Sequence, residues 1–211
     1  MEPEVQTKFI PQKTTTDILK VVLVGNTKVG KTTLLHALTR TGIAERGYSA
    51  SLEISLIRSK KTPQSKIVGK IYDLRSQRYF PYLHSQFYNG AKGAIIVFDI
   101  TNKFSFDSMT KWRNIIWGHT GNIPILICGN KSDLRADKED HITIEDAEKL
   151  AKEIAMNQKT KIPYLEISAL KRIVAHSSDM SVLNKTEDIY PTIDAFRQPF
   201  VNWLFEIIKK R

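Results

Sequence analysis

Cysteine is all but missing: Cys128 is the only one in 211 residues, so no internal disulfide can form and the chain must be held together by burial. Its neighbours Ile125, Leu126 and Ile127 are apolar, which makes the thiol a small core hydrophobe and argues against a reactive role. Also absent is any apolar run near the ~20 residues that cross a bilayer, and Met1-Glu2-Pro3-Glu4 does not resemble a secretory signal. A cytoplasmic or nuclear location is expected. The five histidines are scattered and outline no metal cluster, and no segment repeats.

What is present is ordinary for a globular chain, with 41% hydrophobic and 26% charged residues. The formal charge is +10, but the basic residues run from Lys8 to Arg211 with only short clusters such as Lys60-Lys61 and Lys209-Lys210-Arg211. Such clusters are solvated faces and helix ends more often than a nucleic-acid surface, so no specific nucleic-acid partner is expected. Residues 1–17 are polar, contain Pro3, Pro11 and Thr14-Thr15-Thr16, and read as a flexible arm ahead of one domain over 18–211.

Within that domain, apolar runs alternate with helical periodicity. Leu19 to Val24, Gly93 to Asp99, Ile123 to Cys128 and Ile162 to Ile167 read as buried strands, and Leu52, Ile54 and Leu56 pair with Ile67 to Ile71 as a hairpin. Phe104, Met109, Trp112, Ile115 and Ile116 fit one helical face, with Trp112 and Trp117 taken as core packing. Thr143 with Asp146 resembles a capping box, and Phe200 to Ile208 forms a last amphipathic helix. The expected fold is α/β: a six-stranded, mostly parallel sheet with helices on both faces and ligands at the carboxyl ends of the strands.

Gly25-Asn26-Thr27-Lys28-Val29-Gly30-Lys31-Thr32 fits G-x-x-x-x-G-K-[ST] and sits between the first strand and a helix. Gly25 and Gly30 let the backbone wrap a polyphosphate with its amides inward, Lys31 reaches the outer phosphates, and the Thr32 hydroxyl can ligate magnesium. The helix that starts here adds the positive end of its dipole. Asn130-Lys131-Ser132-Asp133 fits N-K-x-D just past a buried strand. A carboxylate at Asp133 can accept from both the N1–H and the 2-amino group of guanine, a donor pair that adenine lacks. Lys131 would lay its stem over the base, Asn130 would tie this loop to the phosphate loop, and Ser168-Ala169 would bring an amide to the guanine oxygen.

On these residues the chain resembles the Ras superfamily of small GTPases from about Leu19 to Arg211. Gly25 to Thr32 matches the P-loop, Asp73 and Gln77 match the D-x-x-G-Q element, and Asn130 to Asp133 and Ser168-Ala169 match the base-recognition motifs. Tyr48-Ser49-Ala50-Ser51-Leu52, Asn122 to Ile125 with Cys128 to Lys131, and Arg197 to Leu204 look like Ran, whereas Gly90 to Thr101 looks like Rab. The resemblance implies a P-loop GTPase domain and a monomeric enzyme that hydrolyses GTP to GDP and phosphate, with a place in intracellular transport. Its phosphate contacts would come from Gly25, Lys28, Val29, Gly30, Lys31, Thr32, Thr33 and Ser76. Its base contacts would come from Asn130, Lys131, Asp133, Ser168, Ala169 and Leu170. Thr32, Ser51 and Asp73 would hold Mg2+, Gln77 would orient the attacking water, and Lys31 would act beside it. Two switch loops, about 43–53 and 73–88, would engage effector, exchange-factor and GTPase-activating proteins.

Several residues depart from the family pattern. Ser76 stands in place of the glycine of D-x-x-G, keeping the amide but losing easy access to positive φ. Leu74 and Arg75 replace Thr-Ala, Glu53 replaces a glycine, and Lys28 adds a charge to the phosphate loop. Slow intrinsic hydrolysis is expected, and the alternative is a pseudo-GTPase scaffold that binds guanine nucleotide without turnover. The end Lys209-Lys210-Arg211 has no cysteine to prenylate, so no lipid anchor is expected. About 170–192 reads as an inserted surface loop or partner-binding loop.

Overall fold

A computed structural model of the chain describes residues 15–38, 52–62, 65–74, 84–136, 140–155, 162–171, 173–175 and 193–209. The chain order is β1 (Thr15–Val24), α1 (Lys31–Leu38), β2 (Leu52–Thr62), β3 (Ser65–Leu74), α2 (His84–Tyr88) and β4 (Gly93–Asp99). It continues with α3 (Lys103–Asp107), α4 (Met109–Thr120), β5 (Ile125–Asn130) and a 3-10 turn at Ser132–Leu134. Last come α5 (Ile144–Ala155), β6 (Tyr164–Ser168), β7 (Ile173–Ala175) and α6 (Ile193–Lys209).

The strands form one sheet in the order β2-β3-β1-β4-β5-β6-β7. β1 pairs in parallel with β3 and β4, β4 with β5, and β5 with β6, while β2/β3 is the expected antiparallel hairpin. Parallel strands covered on both faces are apolar throughout, and β4 and β5 are buried at every position. The strand period of two then divides each run between two cores. Val21, Leu23, Ile95, Val97, Leu126 and Cys128 point to one, with Leu34 and Leu35 of α1 and Phe196, Phe200 and Leu204 of α6. Val22, Val24, Ile96, Phe98, Ile125 and Ile127 point to the other, with Ile116 of α4 and Ala147, Ala151 and Ile154 of α5.

The six expected strands are all present, with β7 added: its three residues run antiparallel to β6 at the start of the segment expected as an insertion. Residues 176–192 of that segment lie outside the described residues. β1 starts at Thr15, so the last three residues of the expected arm instead pair with Ser65, Lys66 and Ile67. These pairs are polar or mixed, and the backbone ladder to β3 carries the strand past the end of the hydrophobic pattern.

α6 also begins earlier than Phe200, because Phe196, Phe200 and Leu204 repeat at four-residue spacing and hold the helix through Pro199. Phe104 leaves the face assigned to it. It belongs to the separate helix α3, which meets α4 at Ser108 (ψ −9°), and its side chain is 75% exposed. Thr143 does cap α5: its hydroxyl accepts from the Asp146 amide at 3.0 Å and donates to the Asp146 carboxylate at 2.8 Å. Among the described residues, no helix is long and apolar enough to cross a membrane.

Candidate functional site

β1, β3, β4, β5 and β6 all run the same way, so their carboxyl ends line up along one edge of the sheet. β1 leads into Gly25, β4 ends at Asp99, β5 at Asn130 and β6 at Ser168, while Asp73 lies opposite Leu23 near the end of β3.

Between β1 and α1 the backbone turns sharply, with φ of 139° at Gly25, 65° at Lys28 and 93° at Gly30. Two of these positions demand glycine for space as well as conformation. A Cβ on Gly25 would overlap the Val97 carbonyl of β4, and one on Gly30 would overlap the Asn130 side-chain amide. Lys28 holds the left-handed conformation without being glycine, a local strain of the kind found at binding loops. The Lys31 ammonium lies back across the turn, donating to the carbonyls of Gly25 (2.9 Å) and Asn26 (2.8 Å). Helix α1 opens with Leu34 N–H bonded to Gly30 O at 2.9 Å, and Thr32 and Thr33 occupy its first turn. Backbone amides at the start of a helix, with its dipole behind them, are the groups that favour an anion.

The second half of the site is joined to the first by one side chain. Asn130 is buried; its Nδ2 donates to Val29 O (2.9 Å) and its Oδ1 accepts from the Ala169 amide (2.9 Å). Ser168 then donates to Asp133 Oδ1 at 2.6 Å while accepting from the Lys171 amide at 3.0 Å. A carboxylate has four lone-pair directions, so this contact orients Asp133 and leaves it acceptor capacity for a ligand with paired donors. Lys131 is in the left-handed region (φ 69°) and its ammonium pairs with Asp99 Oδ2 at 2.5 Å. Burial pushes the Asp99 carboxyl up. The Lys131 ammonium and the Thr101 amide and hydroxyl outweigh that and hold it below its ordinary 3.8. Leu170 is 76% exposed beside this loop.

Behind the Asn130–Asp133 loop stands a buttress. Arg135, which follows the 3-10 turn, makes a two-pronged contact with Glu166 (3.1 and 2.7 Å) and donates to Ile142 O (3.1 Å). Tyr164 adds a bond to the same buried carboxylate at 2.9 Å. Burial, reinforced by that anionic neighbour, drives the Tyr164 hydroxyl well above its ordinary range.

The structure thus brings Gly25, Lys28, Val29, Gly30, Lys31, Thr32 and Thr33 into one turn. It joins them through Asn130 to Lys131, Asp133, Ser168, Ala169 and Leu170. Asp73 lies at the neighbouring strand end, and Ser51, Ser76 and Gln77 lie outside the described residues. Sequence reasoning missed the partners. Asp99 is legible only as an acid ending a buried strand, and Arg135 and Glu166 carry no motif at all. Trp112 packs against the core as expected, and it also donates its indole N–H to Asn26 in the turn between β1 and α1.

Residues 20–187 match the sequence profile of the Ras family. The chain is 32% identical over 203 residues to Ras-related protein Rab-11C of Dictyostelium discoideum, covering 92% of this chain and 85% of that one. It is 29% identical over 169 residues to Ras-related protein Rab2BV of Beta vulgaris (80% and 75% covered). To Ras-related protein RABA4d of Arabidopsis thaliana it is 31% identical over 172 residues (80% and 72% covered).

Proposed function

The chain belongs to the Ras family, and from that membership we propose a Rab-like GTP-binding switch that hydrolyses GTP to GDP slowly, works in intracellular transport and resides in the cytoplasm or nucleus. The observation that carries this reading is the Asn130 bridge. It ties the turn between β1 and α1 to the Asn130–Asp133 loop, and that pairing supports a guanosine polyphosphate as the ligand.

In this reading the amides from Lys28 to Thr33 hold the phosphates, and Lys31 exchanges its carbonyl partners for the outer phosphate oxygens. Asp133 accepts from the guanine edge, held in place by Ser168. Lys131, anchored by Asp99, covers the base with its stem. Gln77 orients the attacking water, and a partner's arginine completes the charge stabilisation.

Magnesium fits the donors on hand. Thr32 carries a hydroxyl and Asp73 a carboxylate, the hard oxygens this ion prefers; Thr32 lies in the first turn of α1, and Asp73 pairs in register with Leu23 of β1. Among the described residues no group of three or more His, Cys, Asp or Glu could hold a metal by itself, so phosphate and water oxygens would complete the shell. When bound, the ion neutralises charge that builds on the phosphate oxygens.

A specific feature favours a second reading. Ser76, Leu74 and Arg75 alter the loop that senses the third phosphate, which suits a scaffold that holds guanine nucleotide without turnover. A single-turnover assay on GTP-loaded protein with magnesium, following GDP by chromatography, separates the two. Slow conversion that Gln77→Leu abolishes supports the switch. Retained GTP with no conversion, restored by Ser76→Gly, supports the scaffold and overturns slow turnover in the wild-type chain.

A further inference from the structure

Asn26 is the second residue of the turn between β1 and α1, and both ends of its side-chain amide are taken at the start of one distant helix, by Trp112 within α4 and Ser108 at its N-cap. Its Oδ1 accepts the Trp112 indole N–H at 2.7 Å, and its Nδ2 donates to Ser108 Oγ at 3.1 Å. An indole nitrogen can only donate, which fixes the amide orientation: oxygen to Trp112, nitrogen to Ser108. Ser108 is itself anchored, donating to Phe104 O at 2.7 Å across the α3–α4 junction. The backbone of the same Asn26 holds the Lys31 ammonium at 2.8 Å. One residue therefore receives the phosphate-facing lysine on its carbonyl and is bolted to α4 by its amide.

We infer that Trp112 and Ser108 are positioning residues for the phosphate turn, setting how long the protein retains its nucleotide. They act through Asn26. They hold the Asn26 peptide so that Lys31 and the neighbouring amides are aimed before the phosphates arrive, and pre-aimed dipoles need not be reorganised on binding. Without the brace, the left-handed Lys28 and the glycine-flanked turn have fewer constraints on their strained geometry. The effect falls on phosphate retention and spares base recognition, which runs through Asn130, Asp133 and Ser168.

The inference rests on the guanine-nucleotide reading above, and the test keeps the two apart. Release of fluorescently labelled GDP is timed in full-length wild type, Trp112→Phe, Ser108→Ala and Trp117→Phe, and guanosine affinity is measured for each by competition. Trp117 is the control because its indole N–H also bonds a carbonyl, Ile123 O at 3.0 Å, but on the same helix away from the turn. Losing one neutral hydrogen bond is expected to speed GDP release about three- to tenfold in Trp112→Phe and Ser108→Ala, with guanosine affinity and Trp117→Phe unchanged. GDP release at the wild-type rate in both variants, or an equal loss of guanosine affinity, overturns the brace. A wild-type chain that does not retain GDP overturns the nucleotide reading and the brace with it. Ser108→Ala removes only a hydroxyl at a helix junction, so it decides the matter if Trp112→Phe folds poorly.

Discussion

Asn130 Nδ2 donates to the Val29 carbonyl at 2.9 Å across 101 positions of sequence, while its Oδ1 accepts from the Ala169 amide, so one side chain ties the β1–α1 turn to the end of β6. Asn130→Asp replaces the donor with a second acceptor, and Asn130→Ala strands the buried Val29 oxygen and Ala169 amide. Each orphaned group costs about 1–3 kcal/mol. GDP affinity measured by calorimetry should fall at least tenfold in either variant. Gly30→Ala, which drives a methyl into the same amide, should fall with them.

Asp133 is held by Ser168 at 2.6 Å in the orientation that would meet guanine. Asp133→Asn exchanges an acceptor for a donor. Guanine binding should drop on the order of 10⁴-fold, as it does where a polar site loses its complementary partner. Xanthine carries an oxygen where guanine has its amino group, so XDP should bind Asp133→Asn better than GDP does. Equal GDP and XDP affinities in the variant would remove Asp133 as the base reader.

Glu166 is 1% exposed, with Arg135 and Tyr164 both bonded to it. Glu166→Ala leaves the guanidinium facing an uncharged hole. Arg135 is partly exposed and recovers some hydration, so the expected loss is about 3 kcal/mol, the low end for a broken buried pair. A melt of the GDP-bound protein should show the drop. Glu166→Gln should fall between wild type and Ala, because the amide oxygen still accepts from Arg135.

Tyr88 stacks on His119 at 5.1 Å, and its hydroxyl has no hydrogen-bond partner among the described residues. Burial pushes that hydroxyl up from its ordinary 10.0 to about 12. The folded chain therefore keeps this proton at a pH where the unfolded chain gives it up. The stabilisation is complete below pH 10 and is lost as pH rises toward 12, by roughly 2–3 kcal/mol. In denaturant melts across that window, Tyr88→Phe should lose less stability than wild type. Near neutral pH the substitution should cost little, since the lost hydroxyl has no bond to break.

How far the sequence foretold this site depends on the range of each interaction. The turn between β1 and α1 was legible because its glycines, Lys31 and Thr32 are contiguous and bracketed by a strand and a helix. Asp133 and Ser168 were legible because each follows an apolar run, so parallel pairing brings them together. The Asn26–Trp112 bond was not legible, for it spans 86 positions and joins two residue types with commonplace alternatives, a turn asparagine and a core tryptophan. Phe104 misled because periodicity was carried across Ser108, where the helix breaks. β7 escaped because three residues show no alternation to count, and only the ladder to Glu166, Ile167 and Ser168 defines it.

Cys128 is fully buried in β5, its thiol driven up by burial and by the nearby Glu166 charge, and it is the only sulfhydryl in the chain. A maleimide offered to the folded protein therefore finds nothing to alkylate. One cysteine introduced at an exposed position such as Lys111 on α4 becomes a unique attachment point for a dye or spin label. Distances and their changes on nucleotide exchange can then be read without first stripping the native thiol from the core.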